Sequence, residues 1–331
     1  MRNLVLIVLM CAALMTAGCF GSSRPPGARP GLTAQEAQSQ QREAAAADAL
    51  DKARQLYHDG EYLDVDVAFD YLSEAIELDP TLVDARYQRS MLLLEKGRFD
   101  EALVDVEQVL KVKPDHIQAQ FTRGVIMYQR GNCVEANRSF SKVINQDDNI
   151  TEAFALRGAC YNNMGRYKDA IHDFSKTLAI NPAHKDAYYK RGLANMQLGF
   201  NLRAIHDLTQ AMTLDSENIE TLMTRGTVYM KIGQFDQAAG DFKRASELIS
   251  TDHAIYALLA EANAGMGKFQ EAQKAADKAL ILARAERNER AVSAYKELIA
   301  SYVSRAAAAK ETPKPKTTPA TDKPVDKPKP E

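Results

Sequence analysis

The groups with which this 331-residue chain could do chemistry are six histidines, four cysteines and 44 carboxylates. His172 and His206 stand 34 residues apart. On neighbouring helices such a pair is either a metal pair or two surface histidines, and the second reading is favoured. His116 and His184 fall in loops. No HExxH, GxSxG, P-loop or CxxC motif is present. No serine, cysteine or lysine has a base beside it in a pattern that would activate it. The carboxylates recur at the histidines' interval, which marks a solvated face. Neither catalysis, a metal nor a cofactor is expected.

The balance of 42 basic and 44 acidic residues leaves a net charge of -2. That gives no electrostatic reason to expect nucleic acid as a partner. The interval of 34 is the dominant signal. RGVIMYQRGNCVEANRSF begins at Arg123, RGACYNNMGRYKDAIHDF at Arg157, RGLANMQLGFNLRAIHDL at Arg191 and RGTVYMKIGQFDQAAGDF at Arg225. One glycine series runs Gly124, Gly158, Gly192, Gly226, and a second runs Gly97, Gly131, Gly165, Gly199, Gly233, Gly267. Alanines follow five residues after the second series, from Ala102 to Ala272, and Pro80, Pro114 and Pro182 close units. Each unit reads as two amphipathic helices. The second glycine series falls where the first helix must stop. The first falls inside that helix, where a side chain would hold the paired helices apart.

These positions resemble the tetratricopeptide repeat (TPR) family over residues 46–286, about seven repeats. The resemblance implies an all-α, right-handed superhelical α-solenoid. The first unit carries about three additional residues between Gly60 and Ala68, and the seventh has Ala260 in place of glycine. Ala291, Val292, Tyr295, Leu298, Ile299, Tyr302 and Val303 form an apolar stripe, read as a capping helix over 287–309.

Arg89, Arg123, Arg157, Arg191 and Arg225 share one repeat position. Sixteen residues on stand Asp105, Ser139, Asp173, Asp207 and Asp241. In the seventh unit both become apolar, Leu259 and Ala275. Loss of both together favours structural ion pairs (Arg89–Asp105, Arg157–Asp173, Arg191–Asp207, Arg225–Asp241) over an arginine row for an anionic ligand. Cys133 starts a second helix and Cys160 lies late in the next first helix. They are either a disulfide or two buried thiols, and demanding geometry favours the thiols. The family binds peptide or protein segments on the face of the first helices. Carried over, that face comprises Tyr87, Phe121, Tyr128, Asn162, Tyr189, Met196, Met223 and Met230. The alternative for each is inter-helix core. The lysine and asparagine set that grips an acidic peptide terminus in some relatives is not recognisable.

At the start, a short basic segment, the apolar run Leu4–Met15 and Ala17-Gly18-Cys19 read as an export signal over 1–18. Ala17-Gly18-Cys19 resembles the lipobox of bacterial lipoproteins, with Thr16 where leucine is usual, and implies lipid attachment at Cys19. Phe20 after that cysteine implies the outer membrane. Residues 19–45 read as a tether running into the first helix, and 310–331 as a disordered Lys/Pro-rich tail.

The expected protein is therefore a non-enzymatic, lipid-anchored scaffold on the periplasmic face of the outer membrane. Its expected partners are proteins or peptide segments of the cell envelope; it meets membrane through its anchor alone, and its oligomeric state is open. Similar TPR lipoproteins assist assembly of type IV pili and related secretion machines. Others are adaptors for peptidoglycan synthases or hydrolases.

Overall fold

The structure, a computed structural model, describes residues 33–58 and 61–311. The expected export signal, Cys19, the tether up to residue 32 and the tail beyond residue 311 lie outside the described residues. The chain divides into two compact units, Met1–Leu214 and Asp215–Glu331.

The first unit opens with α1 (Ala34–Gln55), β1 (Tyr57–His58), β2 (Glu61–Tyr62) and α2 (Val65–Leu78). Four helix pairs follow: α3 (Val83–Glu95) with α4 (Phe99–Val112), α5 (Ile117–Gln129) with α6 (Cys133–Gln146), α7 (Thr151–Asn163) with α8 (Tyr167–Ile180), and α9 (Lys185–Gln197) with α10 (Asn201–Leu214). The second unit holds α11 (Ile219–Lys231), α12 (Phe235–Leu248), α13 (His253–Gly265), α14 (Phe269–Ala285) and α15 (Glu289–Glu311). Within each unit, consecutive helices pack on one another.

Local chemistry sets these boundaries. Asn132 donates its N–H to Met127 O at 2.9 Å while Gly131 turns the chain at φ 74°. A side chain at that φ would strain the backbone, so glycine recurs there from Gly97 to Gly267, and Arg287 at φ 58° is the exception in the turn after α14. At the starts, Nδ1 of His116 accepts from the Ala119 N–H and Nδ1 of His184 from the Ala187 N–H, both at 3.2 Å. Asn218 and Asn132 cap α11 and α6 with their side-chain oxygens. The two histidines expected in loops are thus helix caps.

The additional residues of the first repeat build an element that periodicity gave no sign of. Tyr57 pairs with Tyr62 and His58 with Glu61 in a two-stranded antiparallel ladder. The two tyrosine rings meet edge-on at 4.9 Å. Two-residue strands are too short to carry an alternating pattern.

The pairing of helices depends on the first glycine series. A Cβ on Gly124 would stand 2.6 Å from Phe140, and one on Gly158 3.0 Å from Phe174. Gly192 meets Leu208 at 3.0 Å and Gly226 meets Phe242 at 2.6 Å in the same way. Each large side chain is buried against the bare backbone of its partner helix. In the second unit α15 packs on α14. Leu298, Ile299 and Tyr302 cover a cluster of five alanines, Ala260, Ala264, Ala272, Ala275 and Ala276. Val303, read as part of that stripe, stands at its exposed edge. The helix turns Tyr295 toward His253, with the hydroxyl 2.7 Å from Nδ1.

Two measurements test these assignments. Gly226→Ala should lower stability by about 1–3 kcal/mol through overpacking against Phe242. Gly240→Ala, in the adjacent helix with nothing within 4 Å of its Cβ, should raise it by about 0.5–1 kcal/mol. Urea midpoints at unchanged slope would read both. The His116 cap is pH-sensitive. Burial, assisted by Lys113, lowers the pKa of His116 from its ordinary 6.5. The cap's contribution is whole above that value and is lost as pH falls toward the folded pKa. His116→Asn keeps an acceptor that does not titrate, so it should flatten this part of the stability–pH curve.

Candidate peptide-binding face

In both units, first helices are tied to their partner second helices by buried ion pairs. Arg157 presents Nε to Asp173 Oδ2 at 2.7 Å and Nη2 to Oδ1 at 2.8 Å. Arg89 grips Asp105 in the same fork at 2.7 and 2.8 Å. Arg191 holds Asp207 at 3.0 and 2.7 Å, and Arg225 holds Asp241 at 2.9 and 2.7 Å. The fork matches both carboxylate oxygens at once, which a lysine would not do. Asp173 is 1% exposed, so this partner stands in for the water it has lost.

The remaining guanidinium nitrogen reaches back to the preceding repeat. Nη1 of Arg89 donates to Ser73 at 3.2 Å, that of Arg157 to Ser141 at 3.0 Å and that of Arg191 to Ser175 at 3.0 Å. Sequence reasoning passed over these serines, although they too stand at multiples of 34. Where Ser139 replaces aspartate, Arg123 donates to Ser139 at 2.9 Å and takes Glu135 at 3.5 Å and Glu107 at 3.9 Å as counter-charges. Asn195 adds a third bond to Asp207, at 3.0 Å.

The eight residues carried over from the family fall into different environments. Tyr87 and Tyr189 are partly buried on α3 and α9. The Tyr87 ring lies 5.1 Å from the His116 ring. Phe121 does not reach the face: it is 3% exposed and packs 5.8 Å from the Phe140 ring. The bare backbone of Gly124, three residues on, draws Phe140 in, and Phe121 closes over it. Tyr128 lies between two core clusters. Burial, with Cys160 and Cys133 beside it, raises its pKa, so its hydroxyl stays protonated. Asn162 is spent on structure: its amide donates to Lys190 O at 3.0 Å, tying α7 to α9, while its shielded Oδ1 has no partner. Met196 is partly buried on α9. In the second unit Met223 and Met230 pack against Phe242 and Ala238.

Tyr87, Tyr128, Tyr189 and Met196 are therefore the carried-over residues of the first unit that keep accessible ring or thioether surface. Such side chains bury large area at low entropic cost and hydrogen-bond to a bound chain. Among the described residues no group of three or more His, Cys, Asp or Glu could hold a metal ion. His172 and His206 are exposed. No described helix is long and apolar enough to cross a membrane.

The ion pairs support one expected outcome. Arg157→Leu would strand the Asp173 charge in the interior and should cost about 3–5 kcal/mol. Adding Asp173→Leu should recover most of that loss. A double-mutant cycle on urea midpoints measures the coupling.

Two family models described as tetratricopeptide repeat match the sequence, one over residues 71–104 and one over 151–184. No curated protein matches it with significance. Among solved structures, that of MamA protein superposes with a TM-score of 0.50 at 25% identity, over 52% of this chain and 94% of that one. YrrB, described as a TPR protein with an unusual peptide-binding site, gives 0.51 at 16% identity over 56% and 94%. Pseudomonas aeruginosa pilF gives 0.53 at 14% identity over 66% and 98%. The last two are likenesses of fold alone. Residues 71–104 and 151–184 are tetratricopeptide repeats, the kind of repeat that builds protein-interaction scaffolds, and the helix pairs around them follow the same pattern.

Proposed function

We propose that the protein is a non-enzymatic, lipid-anchored adaptor that holds a segment of another envelope protein on its first-helix face. Its task in this reading is assembly of an envelope complex of the type IV pilus or secretion kind. The observation that carries the binding role is the set Tyr87, Tyr128, Tyr189 and Met196 on the first helices α3, α5 and α9, each only partly buried. YrrB's described peptide-binding site is in keeping with that use of the fold. The envelope assignment draws on the sequence before residue 33: the export signal and Cys19 in its lipobox-like setting. A second reading, an adaptor for peptidoglycan synthases or hydrolases, is favoured by the Lys/Pro-rich composition after Thr312.

A photo-crosslinker placed at Tyr87 or Tyr189, followed by purification from membranes, tests the assignment. Pilus or secretin subunits would support the first reading and wall enzymes the second. Cytosolic partners alone would overturn the envelope role. Tyr189→Ala should weaken partner capture about tenfold, the loss of roughly 1.4 kcal/mol at an interface anchor, while moving the urea midpoint little. Cys19→Ser should release the chain into the soluble fraction.

A further inference from the structure

The contact between a second helix and the first helix of the following repeat recurs at a fixed spacing of 27 residues. Val65 and Leu92 share one cluster, Phe99 and Ile126 another, and Tyr167 and Ala194 a third. Where α6 meets α7, these two positions are Cys133 and Cys160. Both are free thiols and both are buried. Both belong to one buried cluster, close enough for Cys133 to act on the Cys160 thiol. Asn163 adds a contact across the same junction, its Nδ2 standing 3.9 Å from Cys133 Sγ. Repeat spacing places the two sulfurs at one junction, since the same positions share a cluster at the other junctions. There they are filled by aliphatic side chains, rings and alanine, so packing alone does not call for sulfur.

We propose that Cys133 and Cys160 are the site of an intramolecular disulfide that staples α6 to α7. The step is thiol–disulfide exchange with a disulfide donor, either a protein or a small molecule. Two S–H bonds break and one S–S bond forms. The two electrons and two protons pass to the donor's disulfide, which leaves as two thiols. In the folded chain burial holds the Cys160 thiol protonated, with Cys133 as the next cause. The attacking species is a thiolate, so the exchange belongs to folding, before α7 closes on α6. Tyr128 packs against the cluster that holds both cysteines. The bridge therefore fixes the floor beneath one ring of the binding face. The proposal rests on export, because a reducing cytosol keeps such pairs open.

The full chain, unfolded and then refolded over mixed oxidised and reduced glutathione, should yield a bridged Cys133–Cys160 peptide in an alkylated, unreduced digest. Reductant should lower the urea midpoint of that material. Cys133→Ser and Cys160→Ser should each abolish this sensitivity. Full alkylation of both cysteines after refolding would overturn the proposal, as would a bridge from either to Cys11 or Cys19. If the serine variants do not fold, the reductant response of the unaltered chain decides the same question. Export is judged separately: recovery of the chain from cells with cytosolic proteins counts against the envelope reading whatever refolding shows.

Discussion

Three helix pairs are held by one dipeptide facing another. Arg157-Gly158 on α7 meets Asp173-Phe174 on α8: the glycine admits the ring and the arginine takes the carboxylate. The same meeting recurs as Arg191-Gly192 with Asp207-Leu208 and Arg225-Gly226 with Asp241-Phe242. The two halves depend on each other. Close approach at the glycine excludes water from the carboxylate, and the forked ion pair compensates the charge that approach buries. The corresponding positions are Ser90 and Val106 in α3–α4 and Ala260 and Ala276 in α13–α14, all buried.

The pairs are then joined into stacks by bonds that use the same arginines. A guanidinium that spends two nitrogens on aspartate has one left, and Ser73, Ser141 and Ser175 of the preceding repeats accept it. Ion pairs at a second spacing, Lys96 with Asp66 and Arg130 with Asp100, join repeats at their exposed rim. Rim pairs in water contribute little. The buried forks set the helix spacing, and the rim charges add solubility and register.

The binding face is what remains after this packing is satisfied. Phe121 is taken into the core because Gly124 draws Phe140 close, and Asn162 is taken by a backbone carbonyl of α9. Tyr128 is shared, with its ring packed against two clusters. A residue at a groove position thus reaches a ligand only when its neighbours leave it surface. That depends on side chains distant in sequence.

By itself the sequence determined the helix pairs, their turns and their number, because a 34-residue period repeats every local signal several times. The left-handed glycines, the alanine series and the joint loss of charge at Leu259 and Ala275 were all legible for that reason. The β1–β2 ladder was not, since two-residue strands have no period. The histidine caps were not, because histidine is an uncommon cap and its Nδ1 becomes an acceptor only in the folded turn. Which groove residues keep surface, and whether two cysteines 27 residues apart meet, were decided by tertiary structure. Both depend on how far neighbouring helices approach, and side-chain volume on the facing helix sets that distance.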